Sequence, residues 1–161
     1  MKQVLLALIL FAPAGEVAAQ THCPPPVIKV LRGTQEIPSA GAPFAAKVRL
    51  AVFPNPACAE GGTYQFREAE VTLLRGRRPA LPTLLVHRGE ADLRALTRIV
   101  QPGDRIHVFV WYKNLFRVAT DGTLRPYRSP LPDANEPKGI EAALVTDEAK
   151  GISFDWQLTQ K

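Results

Sequence analysis

The plainest pattern in the chain lies near its C-terminal end. Ile152, Phe154, Trp156 and Leu158 alternate with Ser153, Asp155, Gln157 and Thr159, the period-2 signature of a half-buried strand. A second alternation runs from Tyr64 to Leu74 and contains a fault. Tyr64 and Phe66 share the parity of Glu68, whereas Ala69, Val71 and Leu73 have the opposite parity. The apolar side switches at Glu68-Ala69, which predicts a bulge or a strand that leaves one sheet for another. Arg105 to Ala119 is the longest strand-like run, with Ile106, Val108 and Val110 on one face and His107, Phe109 and Trp111 on the other. Both faces are apolar, which predicts a central strand or one covered on both sides. Shorter strand candidates are Val27 to Leu31, Phe44 to Phe53, Leu81 to His87 and Thr123 to Tyr127.

One stretch has a helical period. From Glu90 to Val100, Leu93, Leu96 and Val100 form a stripe, Glu90 and Asp92 sit in the first turn, and Arg94 and Arg98 face outward. This predicts a short amphipathic α-helix, ended by Pro102-Gly103-Asp104. Arg75-Gly76-Arg77-Arg78-Pro79 reads as a turn, Asp121-Gly122 as a hairpin turn, and Gly33 to Pro43, Pro54 to Gly62 and Ser129 to Gly139 as loops. The elements together predict a mainly β protein: an antiparallel, Ig-like β-sandwich with one short α-helix.

The first residues change the domain count. Lys2, the apolar run Val4 to Ala12 and the small-residue exit Val17-Ala18-Ala19 have the form of a secretory signal peptide. The expected organisation is a signal peptide over 1–19, a proline-rich leader over 20–26 (Pro24, Pro25 and Pro26) and one domain over 27–161. No later stretch approaches the ~20 apolar residues of a membrane span. An exported chain, periplasmic, associated with the outer membrane or extracellular, is therefore expected. In such a chain Cys23 and Cys58 read as one disulfide that ties the leader to the body.

Net charge is +5 and unevenly placed. From Arg75 to Arg128 there are eleven Lys/Arg against four Asp/Glu; from Ser129 onward there are three against six. Arg75, Arg77, Arg78, Arg94 and Arg98 form the candidate binding surface, with a solvated face as the plainer alternative. The address argues against nucleic acid as the partner. Catalytic chemistry is not evident. His22, His87 and His107 lack metal-ligand spacing, and Ser39, Ser129 and Ser153 lie in no nucleophile elbow. No metal, no cofactor and no enzymatic activity are expected. Trp111 and Tyr112 are neighbours on a strand, so their rings point to opposite faces. One ring is core. The other is either buried by a covering layer or exposed beside Lys113 and Arg117 as part of a binding face.

The order of these features carries a resemblance. Tyr64-Gln-Phe-Arg-Glu-Ala-Glu-Val-Thr-Leu-Leu-Arg-Gly76, the helical stretch, Gln101-Pro-Gly-Asp-Arg-Ile-His-Val-Phe-Val110 and Ala119-Thr-Asp-Gly-Thr-Leu-Arg-Pro126 resemble the C-terminal domain of the gliding-motility protein GldM family. In that family a strand leads to a small helix, a Pro-Gly-Asp-like turn and a second strand. A Gly- and Asp-containing turn with a following Arg then closes the unit. Pro102, Gly103, Asp104, Asp121 and Gly122, with Arg125 behind, take these places here. The resemblance implies a β-rich fold and contact with envelope proteins of type IX secretion or gliding. It departs from the family in its signal-peptide start, its single domain, Cys23 and Cys58, and the stretch between Tyr127 and Ile152. The function expected is an exported, non-enzymatic module for protein–protein contact in the cell envelope. The alternative is a secreted module that binds an acidic glycan or lipopolysaccharide through an Arg-rich face.

Overall fold

A computed structural model describes residues 23–58, 62–87, 89–128 and 150–160. The signal-peptide stretch 1–19, the first leader residues 20–22 and the loop expected from Ser129 to Gly139 lie outside the described residues. In chain order the strands are β1 (Val27–Arg32), β2 (Gln35–Glu36), β3 (Lys47–Phe53), β4 (Thr63–Phe66), β5 (Glu68–Arg75), β6 (Arg78–Pro79), β7 (Leu84–His87), β8 (Glu90–Asp92), β9 (Arg105–Trp111), β10 (Leu115–Val118), β11 (Leu124–Pro126) and β12 (Gly151–Gln157). They form three antiparallel sheets. The first has the order β2-β1-β3-β8, the second β12-β9-β5 with β6 and β7 both on the free side of β5, and the third β11-β10-β4.

Alternation decides which side chains meet. On β9, Ile106, Val108 and Val110 are all at or below 1 % exposure. Their cross-strand partners are Leu73 and Val71 on β5 and Trp156, Phe154 and Ile152 on β12. Facing them from the first sheet are Ile28, Val30, Val48, Leu50 and Val52, in one continuous core. Each fully buried aliphatic side chain contributes about 1.5–3 kcal/mol by leaving water. Trp156 is the largest of the fully buried residues, and its indole Nε1 donates to the Ala42 carbonyl at 3.1 Å. Burying the ring therefore leaves no indole donor unpaired.

The parity fault at Glu68-Ala69 is a change of sheet. β4 pairs with β10 in the third sheet, and β5, one residue later, pairs with β9 in the second. β9 and β10 make the same crossing on the partner side, so the two form one antiparallel ribbon bent at a corner. Arg67 N–H donates to the Asn114 carbonyl at 2.9 Å across the bend. The β9–β10 side carries extra residues, and these are taken up as a 3-10 turn over Tyr112–Asn114. The single long strand expected from Arg105 to Ala119 is thus two strands in two sheets.

The expected α-helix from Glu90 to Val100 does not form. Glu90, Ala91 and Asp92 pair with Arg49, Val48 and Lys47 at the edge of the first sheet. A 3-10 turn over Arg94–Leu96 follows. The physical reason is competition. An isolated helix of about eleven residues is marginal, and here the β3 edge and the Ala46 carbonyl (2.7 Å from Leu93 N) supply backbone partners instead. Leu93 and Leu96 still reach the core at 1 % exposure each, because an i, i+3 spacing also fits a 3-10 turn. The stretch Gly33 to Pro43 is likewise not wholly loop, since β2 returns along β1 through a turn at Gly33, whose φ is +63°.

Candidate functional site

The arginines singled out from the sequence are not one free basic face. Arg75 is locked into the fold. Its Nε and Nη2 donate to the two carboxylate oxygens of Asp104 at 3.0 and 2.9 Å, and Nη2 also donates to the Ile99 carbonyl at 2.9 Å. Asp104 is 3 % exposed and accepts a further bond from Gln101 N–H at 2.9 Å. The Arg75 bond holds its carboxyl below the usual carboxylate range, against the opposing effect of burial. Pro102, Gly103 and Asp104 therefore form a pinned turn, with Gly103 at φ +88°. Arg94 is spent on Asp92, whose pKa it lowers to about 2. Arg77, Arg78 and Arg98 remain exposed near this end of the sandwich. Asp121 accepts from Thr123 N–H and Oγ1 at 2.9 and 2.7 Å, and Gly122 takes φ +80°, which together set the hairpin turn before β11.

The two outer faces of the sandwich differ in kind. That of the first sheet is mostly charged, carrying Lys29, Glu36, Lys47, Arg49, Glu90 and Asp92, with one exposed ring, Phe53, whose centroid lies 5.3 Å from the Lys29 ammonium. That of the second sheet carries a ladder of rings. His107, Phe109 and Trp111 follow one another along β9, with centroids 6.2 and 5.0 Å apart and the second pair edge to face. Neighbouring strands fix both ends of the ladder. Trp111 Nε1 donates to Glu70 of β5 at 2.6 Å, and His107 Nδ1 meets Asp155 of β12 at 2.9 Å. The Lys113 ammonium lies 5.2 Å from the Trp111 ring centroid, within cation–π range. Leu85, on β7 directly across from Glu70, is 56 % exposed. His87 and Glu68 are opposite each other beside it, 3.9 Å apart. Tyr112 takes the opposite side and is 5 % exposed in the core. Trp111 lies on the other side, half-buried beside Lys113, while Arg117 belongs to the third sheet.

Glycine makes room for the ladder. A Cβ on Gly151 would lie 2.6 Å from Phe109 Cζ and would strike the Val110 carbonyl oxygen. The absent side chain lets the Phe109 ring lie over the β12 backbone, at 6 % exposure on an outer face.

A second aromatic group sits under the third sheet. Tyr127 packs against Tyr112 and Tyr64 with centroids 5.3 and 5.9 Å apart. Burial, with the two neighbouring phenols, pushes the Tyr127 hydroxyl up to about 12.

Cys23 and Cys58 are joined in a disulfide with Cα atoms 5.4 Å apart, 35 positions apart in sequence. His22 and Ser129 lie outside the described residues, while Ser39 and Ser153 are exposed. Among the described residues no three His, Cys, Asp or Glu side chains cluster as a metal site, and no helix is long and apolar enough to cross a membrane. The contacts His107–Asp155 and Trp111–Glu70 join residues 48 and 41 positions apart, and nothing local in the sequence announces them. No protein-family model, curated protein or solved structure matches the chain.

Proposed function

We propose that the chain is an exported, non-enzymatic binding module of the cell envelope. Its partner is a protein that presents an aliphatic or aromatic side chain to the ring ladder on the outer face of the second sheet. The observation that carries this reading is the row His107, Phe109 and Trp111 beside exposed Leu85, held by carboxylates from β5 and β12. Tryptophan anchors with restrained rings and an apolar neighbour are what dominate protein interfaces, because little side-chain entropy is left to lose on docking. On this face Phe109 is 6 % exposed and His107 and Trp111 are half-buried, so Leu85 and the accessible edges of the outer two rings are what a partner would reach. The polar groups of the face are turned to one another, Asp155 to His107 and Glu70 to Trp111, an arrangement suited to holding rings in place. The signal-peptide-like start and the Cys23–Cys58 disulfide support an oxidising compartment outside the cytoplasm. The resemblance of Tyr64 to Pro126 to the GldM family makes secretion and gliding components the first partners to test.

A photo-crosslinking residue at Leu85 is compared with one at Lys29 on the opposite face, in cells that make the protein. The expected result is a discrete adduct to a secretion or gliding component from position 85 only. Binding of that component should fall at least about 10-fold, roughly 1.4 kcal/mol, in Leu85→Glu, which changes an exposed side chain and leaves the core intact. Equal crosslinking from Lys29, or undiminished binding by Leu85→Glu, would overturn the assignment.

A further inference from the structure

A second surface lies round the corner from the ring ladder, on the third sheet. Phe116 is directly opposite Gln65 on β4 and Pro126 on β11, while its neighbour Arg117 is opposite Tyr64. Side chains alternate along a strand, so Phe116 faces away from the Tyr64 ring, which packs against the core. Phe116 is nonetheless only 7 % exposed, and it stands outside the central core. Its cover is Arg67, the residue at the bend between β4 and β5, whose guanidinium carbon lies 4.6 Å from the ring centroid. Arg67 is exposed, and among the described residues no carboxylate meets its guanidinium. The adjoining carboxylate, Glu68, faces His87 at 3.9 Å. Beside the Arg67–Phe116 stack lies a groove of about 400 Å³, lined by Gln65, Phe66, Arg67, His87, Phe116 and Leu124. Leu124 is 48 % exposed and, being opposite Val118, shares the face of Phe116. A volume of several hundred Å³ is the size of a small-ligand site.

We propose that this groove binds the C-terminal end of a peptide chain whose last side chain is apolar. A guanidinium stacked on a ring keeps its in-plane N–H fork for a carboxylate, and the stack fixes its orientation beforehand. Phe66, Phe116 and Leu124 set an apolar floor directly beside that fork. The guanidinium rests on the floor itself, so the carboxylate and the apolar group of the ligand must be close neighbours. At a chain terminus both hang from a single Cα. Inside an extended chain, successive side chains point to opposite sides, and the next one on the same side is about 6.5 Å further along. Gln65 adds an amide that can both donate to and accept from the last peptide group. Capture of a terminal carboxylate is a recurrent mode of peptide recognition. Gln65, Arg67 and His87 make half of the lining polar, which suits a peptide end better than a long acyl chain. The site does not rest on the ring ladder, although His87 borders both.

The test is an NMR titration of the purified protein with two pools of short peptides, random except for a C-terminal leucine. One pool has a free carboxylate and the other is amidated; octanoate is the comparison ligand. Saturable amide shifts at Gln65, Arg67, Phe116 and Leu124 are expected with the free-carboxylate pool, and none with the amidated one. Arg67→Gln changes an exposed side chain and should weaken binding at least about 10-fold. Arg49→Gln, an equally exposed arginine on the outer face of the first sheet, should leave it within about two-fold. No saturable shift from the free-carboxylate pool, equal shifts from the amidated pool, or equal affinity in Arg67→Gln would each overturn the site. Octanoate binding more tightly than the peptides would overturn the peptide assignment, since the groove would then take an acyl chain.

Discussion

Replacing Asp104 by asparagine keeps the volume of the side chain and removes its charge, and the surroundings set what that costs. Asp104 is the one charged residue fully buried among those described. It accepts three hydrogen bonds, two from Arg75 and one from Gln101 N–H. The amide of asparagine turns one acceptor into a donor aimed at the guanidinium. Charge-assisted bonds are worth about 1.5–3 kcal/mol each, so a simple sum would reach several kcal/mol. The Arg75 side chain is 45 % exposed, however, and it regains water when its partner is lost. A net loss of about 2–3 kcal/mol remains, equivalent to about 4–12 °C in Tm for a chain of this size. Urea unfolding followed by the fluorescence of buried Trp156 reads it directly. The pH dependence has a definite sign. The folded carboxyl titrates below its unfolded value of about 3.9, so its contribution is present above that pH and is lost as pH falls through the folded value. The gap between wild type and Asp104→Asn should therefore close in acid. Arg75→Gln added to Asp104→Asn should cost less than it does alone, because the two residues act as a pair. Equal unfolding midpoints at neutral pH, or a gap that widens in acid, would refute the lock.

Two further outcomes follow from particular contacts. Cys23→Ser with Cys58→Ser, or reduction of the wild type, should lower stability by about 3–4 kcal/mol on the loop-closure account, read as a shift in the urea midpoint. Gly151→Ala should cost about 1–3 kcal/mol through overpacking against Phe109 and Val110, and near-ultraviolet circular dichroism should change as the ring ladder shifts; an unchanged spectrum and midpoint would contradict the packing.

Much of the β architecture is legible in the sequence because a strand writes its environment with a period of two. The alternation from Ile152 to Leu158 gave β12 and its inward face, and the fault at Glu68-Ala69 announced either a bulge or a change of sheet, of which the structure has the second. The Asp121-Gly122 turn also carried a signal that was open to use. It announced a hairpin but not the register: equal spacing about a two-residue turn would set Arg117 opposite Pro126, and the structure sets it opposite Arg125. The Glu90 to Val100 stretch was misread because Leu93 and Leu96 are spaced alike for an α-helix and a 3-10 turn, and only the adjoining β3 edge decides between them. The five arginines looked alike by composition. Two of them proved to be ion-paired within the fold, to Asp104 and Asp92.

What the sequence determined by itself is local: strand faces, turn positions, the cysteine pair and the mainly β class. Each rests on interactions within a few residues, or on a count that has only one partner to offer. What tertiary structure alone decided is which surfaces stay open. His107 meets Asp155 and Trp111 meets Glu70 only because β9 lies between β12 and β5, and no local spacing encodes that order. The ring ladder depends on it, since a side chain's neighbours across a sheet come from strands distant in sequence.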